Sequence, residues 1–230
     1  MLSFTFGIPP REVLAECRKQ GIRTVGTATT PEEAVALEDA GLDLIVASGF
    51  EGGGHRGSFL RSATDSLIGS ISLIPQVVDA VRAPVIAAGG IADARGIVAA
   101  LALGAEAVQI GTAFVPCAGS GANKPYAAAL LCEAAKRTGL TDAFTGRLAR
   151  GLKNRLMDEL EDRSSPPLSF PLQHTVTQTV AGPAAQQGKT DLMTLWAGQS
   201  ASLCRCSDAT ELMSQLIAET DAYFSSMARQ

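Results

Sequence analysis

The sequence has few aromatic residues, few histidines and no long uninterrupted apolar run. Aromatic side chains make up 5% of the 230 residues, and there are 2 histidines. Glycine and glutamate interrupt the longest apolar stretches, which are therefore too short to span a membrane. The 19 basic residues are outnumbered by 23 acidic ones and form no like-charged block, so a basic nucleic-acid surface is excluded. We expect neither a membrane nor a nucleic acid as partner.

Cysteine is also sparse, and its distribution argues against disulfides and metal sites. The chain has 5 cysteines, an odd number, and they are scattered apart from one C-x-C pair, Cys204 and Cys206. That pair lacks the second pair of ligands that a zinc site needs, so we expect no metal. The N-terminus lacks the basic and apolar regions of a signal peptide. We therefore expect a cytoplasmic protein with reduced thiols.

The first half of the chain alternates between strand and helix patterns. Strand patterns begin near residues 2, 23, 43, 85 and 107, and a helix pattern separates each from the next. In "TPEEAVALEDAG", Thr30 is placed to cap a helix, Pro31 suits its first position and Glu33 stands at the capping-box position. This alternation predicts parallel strands joined by right-handed crossovers. From about residue 125 the pattern becomes helical and irregular, with helices predicted over "KPYAAALLCEAAKRTG" and "RLARGLKNRLMDELED".

The positions of the glycines favour a barrel over a doubly wound sheet. Glycine clusters follow the third strand ("GFEGGGHRG") and the fourth ("AAGGIADARG"), and another glycine lies in the fifth ("AVQIGTAF"). A dinucleotide-binding fold concentrates its glycines after the first strand. A TIM (β/α)8 barrel places ligand loops after every strand and binds phosphate after the last two. The predicted fold is therefore an α/β TIM barrel.

A count of the strands predicts that this barrel is incomplete. With the strand ending at Phe114 as the eighth, "LSFTF" becomes the fourth, and about 100 residues of a barrel with roughly 30 residues per unit lie upstream. We expect residues 1–124 to be the C-terminal part of a barrel, strands 4 to 8, carrying the phosphate site. Residues 125–230 are expected to be a helical and irregular segment that packs on it.

These motifs, in this order, resemble the nitronate monooxygenases, formerly 2-nitropropane dioxygenases, which are FMN-dependent TIM barrels. The resemblance rests on "GFEGGGHRG", "PVIAAGGIADARG" and "AEAVQIGTAF". It extends to "FTGRLARGLKNR", "FPLQ" and "LWAGQ" near the C-terminus, which are similar to signatures of class I members. It implies a flavin-dependent enzyme that oxidises alkyl nitronates with O2 to a carbonyl compound and nitrite. It also implies that the chain lacks the N-terminal part of the family's barrel.

The resemblance assigns roles to individual residues. His55 becomes the catalytic base, a role that suits an imidazole at neutral pH. The residues placed around the FMN are Ser48, Gly53, Gly54, Gly89, Gly90, Gln109, Ile110, Gly111 and Thr112. Ser48 stands where the family usually has Gln, which implies a shortened or lost flavin contact. Because the first strands of the family's barrel also supply flavin contacts, we expect this chain to bind FMN weakly or not at all.

Other interpretations of these residues stay open. The glycines are also explained by turns that need positive φ, and His55 by a loop histidine bonded to backbone. His174 is expected to be structural, and Glu51, Arg56 and Trp196 receive no role. The rival functions are an FMN-dependent enoyl-acyl-carrier-protein reductase and an inactive, flavin-free fragment. We expect a monomer or a homodimer.

Overall fold

The computed structural model describes residues 1–162 and 164–229, which form two units. The first unit contains residues 1–51, 57–109 and 223–230, and the second contains residues 52–56 and 110–222. Among the described residues the strands are β1 (Leu2–Phe4), β2 (Thr24–Ala28), β3 (Leu44–Ser48), β4 (Gly54–His55), β5 (Val85–Ala88), β6 (Ala107–Gln109), β7 (Thr138–Thr141) and β8 (Ala149–Leu152). The α-helices are α1 (Arg11–Lys19), α2 (Pro31–Asp39), α3 (Ser70–Ala80), α4 (Ala94–Ala102), α5 (Lys124–Leu130), α6 (Arg155–Glu161), α7 (Leu172–Gln186) and α8 (Ala209–Met227).

The first unit is built on a five-stranded parallel sheet in the order β1-β2-β3-β5-β6. Helices α1 to α4 connect these strands in turn. The predicted α/β architecture of parallel barrel strands with crossover helices is therefore confirmed. In the described part of the chain, β1 and β6 are the edges of this sheet, which does not close into a barrel.

Both faces of the sheet are covered by apolar side chains. The larger core lies on the helix side and includes Leu37, Ile45, Leu73 and Val77. On the other face, Val25, Val46 and Ala88 form a smaller cluster. Strands buried on both faces are typical of parallel sheets, which explains the continuous Val, Ile and Ala of these segments.

The second unit contains a small antiparallel sheet in the order β4-β8-β7. Its helices and apolar side chains form two clusters, one around Leu130, Leu152 and Leu195 and one around Phe144 and Met157. A single bridge joins Gly151 in β8 to Trp196, so residues around 196 lie alongside this sheet.

Two predicted helices in this unit are present but shorter than expected, as α5 and α6. Helix α5 ends at Leu130, and a short 3-10 helix, Glu133–Lys136, leads into β7 instead of continuing the helix. Residues Ala149–Leu152, predicted as helical, form β8. Local propensity favours helix here because Ala, Arg and Leu are good helix formers. The pairing of β8 with β4, more than 90 residues earlier in the chain, overrides it. The predicted division at residues 124 and 125 stays a prediction.

Two further features are the state of the cysteines and the apolar character of the helices. All five cysteines are unbridged thiols. Among the described residues, none of the helices combines the length and the apolar character that crossing a bilayer requires.

Candidate active site

Candidate residues of the first unit gather at the C-terminal ends of neighbouring strands. Ser48, the last residue of β3, is in register with Ala88 of β5, and Ala88 is in register with Gln109 of β6. Gly89 and Gly90 follow Ala88 directly. Because carboxyl ends of adjacent parallel strands share one edge of the sheet, the structure brings these four candidates together.

The Gly89-Gly90 turn requires glycine and is braced by Glu51. Both residues have positive φ, 93° and 75°, which side chains with a Cβ rarely adopt. The Glu51 carboxylate accepts a hydrogen bond of 2.8 Å from the backbone N–H of Ser70 and one of 3.1 Å from its hydroxyl. The same hydroxyl lies 2.9 Å from the carbonyl oxygen of Gly89. Glu51, for which the sequence indicated no role, therefore links its loop to α3 and to the glycine turn.

The helix that follows the glycine turn is capped by its own side chain, Asp93. The Asp93 side chain caps α4 and accepts from the backbone N–H groups of Arg95 and Gly96 at 3.0 and 3.3 Å. These are the orphan donors that bind anions at other helix ends. The backbone N–H groups of Arg95 and Gly96 are therefore already bonded by the helix cap, and the roles of Gly89 and Gly90 at a cofactor stay a prediction.

His55 lies in the second unit, where β4 pairs with β8 and places His55 opposite Ala149. Its Nε2 is 2.8 Å from the hydroxyl oxygen of Thr145. The ring centroids of Trp196 and Phe170 lie 5.2 and 5.4 Å from that of the imidazole. The contacts of the imidazole thus include a polar contact to Thr145 and two aromatic rings.

This environment favours the neutral form of the imidazole. Partial burial lowers the pKa of His55 below its usual value, and the charge of Arg147 and the proximity of His174 lower it further. A neutral imidazole has a lone pair that can accept a proton, which a general base needs. His55 is therefore in the right state for the role that its motif implies.

Two further candidates meet at Gly198. A Cβ added to Gly53 would lie 2.6 Å from the backbone nitrogen of Gly198 and 2.7 Å from the carbonyl carbon of Ala197. The Gly198 N–H donates to the hydroxyl of Thr112 at 3.0 Å. Gly53 is therefore glycine because backbone passes close to it, whereas Gly54 has a φ of 82° and open space around it.

Gly111 differs from these glycines. Its φ is −106°, and no atom lies within 4 Å of the place where a Cβ would stand. Gly111 and Ile110 line a cavity of about 460 Å³ together with Phe114, Cys117 and other residues of the second unit. The described chain itself therefore gives no reason for glycine at 111, and the open space is compatible with a bound group.

Several residues of the site gave no signal of their own in the sequence. Thr145 precedes β8 and contacts His55, and Phe170, the first residue of "FPLQ", lies beside the imidazole. The hydroxyl of Tyr126 donates to the carbonyl oxygen of Trp196, and burial raises the pKa of Tyr126 to about 12, so this donor stays protonated. Thr145 lies inside "FTGRL", so the family signature was the signal that could have identified it.

Comparisons with known proteins identify relatives of this chain. The sequence profile described as nitronate monooxygenase matches residues 1–219. A probable nitronate monooxygenase of Staphylococcus aureus strain Newman is 43% identical over 215 residues, which cover 93% of this chain and 61% of that protein.

Two solved structures are also similar. The nitroalkane oxidase of Streptomyces ansochromogenes has a TM-score of 0.92 and 43% identity, covering 98% of this chain and 65% of that one. FabK of Thermotoga maritima has a TM-score of 0.79 and 29% identity, covering 98% and 70%. The chain thus spans about 61% of the length of the curated relative. The profile covers nearly the whole chain and the identity is high, so this chain belongs to the nitronate monooxygenase family.

Proposed function

We propose that this chain binds FMN, with the weak affinity expected above, and takes part in the oxidation of alkyl nitronates to a carbonyl compound and nitrite, with O2 as the oxidant. The observation that carries the proposal is the neutral, positioned imidazole of His55. It stands next to a glycine-rich loop in a member of the nitronate monooxygenase family. The proposal includes the roles of the site residues, which rest on the family motifs.

The glycine positions support a cofactor in this chain. In the second unit, Gly111 and Gly54 have open space where a Cβ would stand, and Ile110 lines the adjoining cavity. Ile110, Gly111 and Thr112 in that unit would hold the phosphate and ribityl chain, with Gly53 and Gly54. In the first unit, the family motifs assign Ser48, Gly89, Gly90 and Gln109 to the cofactor. When bound, FMN supplies the redox chemistry, which no side chain can supply.

The residues of the second unit supply the acid–base part. The lone pair of the neutral imidazole can hold a proton during the reaction, and the rings of Trp196 and Phe170 limit the water around it. A nitronate is an anion. The positive charge of Arg147, which disfavours protonation of His55, favours an anionic substrate beside it. We therefore infer that the substrate is the nitronate rather than the neutral nitroalkane.

Reconstitution of the purified chain with FMN tests the proposal. We expect quenching of flavin fluorescence on titration, O2 uptake with propyl-2-nitronate, and nitrite released in proportion to the nitronate consumed. NADH oxidation without nitronate-dependent O2 uptake would favour the enoyl-acyl-carrier-protein reductase. A folded chain that does not quench FMN would be the flavin-free alternative and would contradict the proposal.

Two glycine variants separate cofactor binding from folding. Gly111→Ala has room for its methyl group, so we expect an unchanged urea midpoint and weaker FMN binding. Gly53→Ala would press its methyl group against the backbone of Gly198, so we expect a lower midpoint even without FMN. Equal FMN affinity of Gly111→Ala and wild type would remove Gly111 from the cofactor site.

Location and assembly complete the proposal. The cytoplasmic location follows from the cysteine usage, and a monomer or homodimer is the expected assembly. Size-exclusion chromatography with light scattering distinguishes the two states.

A further inference from the structure

The hydroxyl of Thr145 contacts His55 from a fixed position. Thr145 lies between β7 and β8 and is 1% exposed. Its oxygen is 2.8 Å from His55 Nε2, 3.1 Å from the carbonyl oxygen of Arg147 and 3.4 Å from the backbone nitrogen of Arg147. The hydroxyl therefore has three polar neighbours, and each constrains where its single hydrogen points.

The count of donors and acceptors at Thr145 favours one direction for the bond to His55. A threonine hydroxyl has one hydrogen and two lone pairs. The carbonyl oxygen of Arg147 can only accept, so the hydroxyl donates its hydrogen there. The two lone pairs then accept from the backbone N–H of Arg147 and from His55. His55 must supply that hydrogen from Nε2, which in a neutral imidazole leaves the lone pair on Nδ1.

A flip of the imidazole ring would break the hydrogen bond between His55 Nε2 and the Thr145 hydroxyl. The backbone of His55 is held by pairing with Ala149 in β8. The rings of Trp196 and Phe170 lie against the imidazole at different angles, 47° and 72° between planes. A flipped ring would present a carbon atom to the buried hydroxyl, which would lose a hydrogen-bond partner at a cost.

We propose that Thr145 is a positioning residue that holds neutral His55 with its hydrogen on Nε2, so that Nδ1 is the nitrogen that accepts a proton. The part that concerns proton acceptance rests on the proposed function, whereas the tautomer itself does not. Histidine bases elsewhere depend in the same way on a hydrogen bond made by the second ring nitrogen.

Nitrogen-15 NMR of the histidine side chains tests the tautomer on the full chain. There are 2 histidines, so His174→Asn assigns the spectrum. Above the pKa of His55, we expect one imidazole with a slowly exchanging hydrogen on Nε2 and an unprotonated Nδ1. A hydrogen on Nδ1 in the wild type would overturn the proposal, whether or not any variant folds.

Three variants identify Thr145 as the cause. Thr145→Val removes the hydroxyl, so we expect faster exchange of the Nε2 hydrogen and a mixture of tautomers, whereas Thr145→Ser restores the wild-type spectrum. Thr177→Val removes another buried threonine hydroxyl, one that bonds to Gln173, and should leave the His55 signals unchanged. A wild-type His55 spectrum in folded Thr145→Val would overturn the proposal.

Kinetic measurements distinguish a failure of this inference from a failure of the proposed function. With propyl-2-nitronate we expect kcat of Thr145→Val to fall about ten-fold, as when other partners that orient a histidine are removed, with KM little changed and Thr145→Ser near wild type. An Nε2 hydrogen in a chain without nitronate activity would support the tautomer and contradict the proposed function. Full activity with the hydrogen on Nδ1 would contradict the tautomer alone.

Discussion

Replacement of Glu33 gives the largest loss of stability that we predict for a single side chain in the first unit. Glu33 lies in α2, and its side chain is fully buried. One carboxylate oxygen accepts from the backbone N–H and the hydroxyl of Thr29, both at 2.7 Å. The other accepts from the backbone N–H groups of Phe59 at 2.6 Å and Leu60 at 3.1 Å. Glu33 thus ties the start of α2 to the segment that follows the glycine-rich loop.

The magnitude follows from the number of buried donors left without an acceptor. Each buried donor that loses its partner costs about 1–3 kcal/mol, and water that enters the space recovers part of that cost. For Glu33→Ala, with four donors affected, we expect a loss of about 3–5 kcal/mol, the range of the most disruptive single substitutions. Glu33→Gln keeps one acceptor oxygen but points an amide N–H2 at the other donor pair, so we expect about 2–3 kcal/mol.

Urea unfolding of the full chain, followed by circular dichroism, measures these losses. Glu32→Gln is the matched control. It changes the neighbouring, largely exposed carboxylate, which pairs with Arg61, and it should shift stability by less than about 1 kcal/mol. A loss below about 1 kcal/mol for both Glu33 variants would refute the reasoning that these four bonds fix the segment.

Three further predictions concern the site. The free energy of unfolding should fall as pH drops below 6.5, because the pKa of His55 lies below that value in the folded chain and the unfolded chain then binds more protons. Urea titrations at several pH values should show a smaller pH dependence for His55→Asn. Arg147→Met should raise the pKa of His55, measured by NMR titration, since the guanidinium charge lowers it; an unchanged pKa would contradict that assignment. Glu51→Ala should weaken FMN binding, because it removes the hydrogen bonds to Ser70 that support the turn at Gly89, and Glu51→Gln should have an intermediate effect. Equal FMN affinity of the wild type and both variants would rule out this supporting role.

The parallel sheet and the start of α2 were predictable because their signals are local. Thr30 caps α2 as expected, accepting from the backbone N–H of Glu33 at 3.3 Å, and Pro31 begins the helix. The capping-box detail differs. The Glu33 carboxylate accepts from Thr29 rather than from the backbone N–H of Thr30, and its other oxygen accepts from the backbone N–H groups of residues 59 and 60. Such a contact depends on chain far away in sequence, which a local motif does not report.

The antiparallel sheet around His55 could not be predicted in the same way. Strand β4 has two residues, and β8 exists because it pairs with β4 and β7, while its own residues favour a helix. The sequence of helix α7 does not by itself indicate a helix, because Thr and Val favour strands. The burial of Thr177, Ala181 and Ala184 on one face resolves it as a helix.

The site was predictable only as a set of motifs. The glycine-rich loop identified His55, but the sequence gave no means of separating a glycine required by chain packing from one beside a ligand. The structure makes this distinction for Gly53, which faces the backbone of Gly198, and for Gly111, which faces open space. The role of Thr145 was identified from its contact with the imidazole in the structure.

The rate of nitronate oxidation in His55→Asn, compared with His174→Asn, tests the central claim most directly. Both variants lose one imidazole, but only His55 is placed next to Thr145 and the aromatic pair. With FMN bound, we predict that His55→Asn lowers nitrite release about 100-fold or more, as the loss of a general base does, and that His174→Asn retains wild-type activity. Equal rates of nitrite release in His55→Asn and wild type would contradict the account.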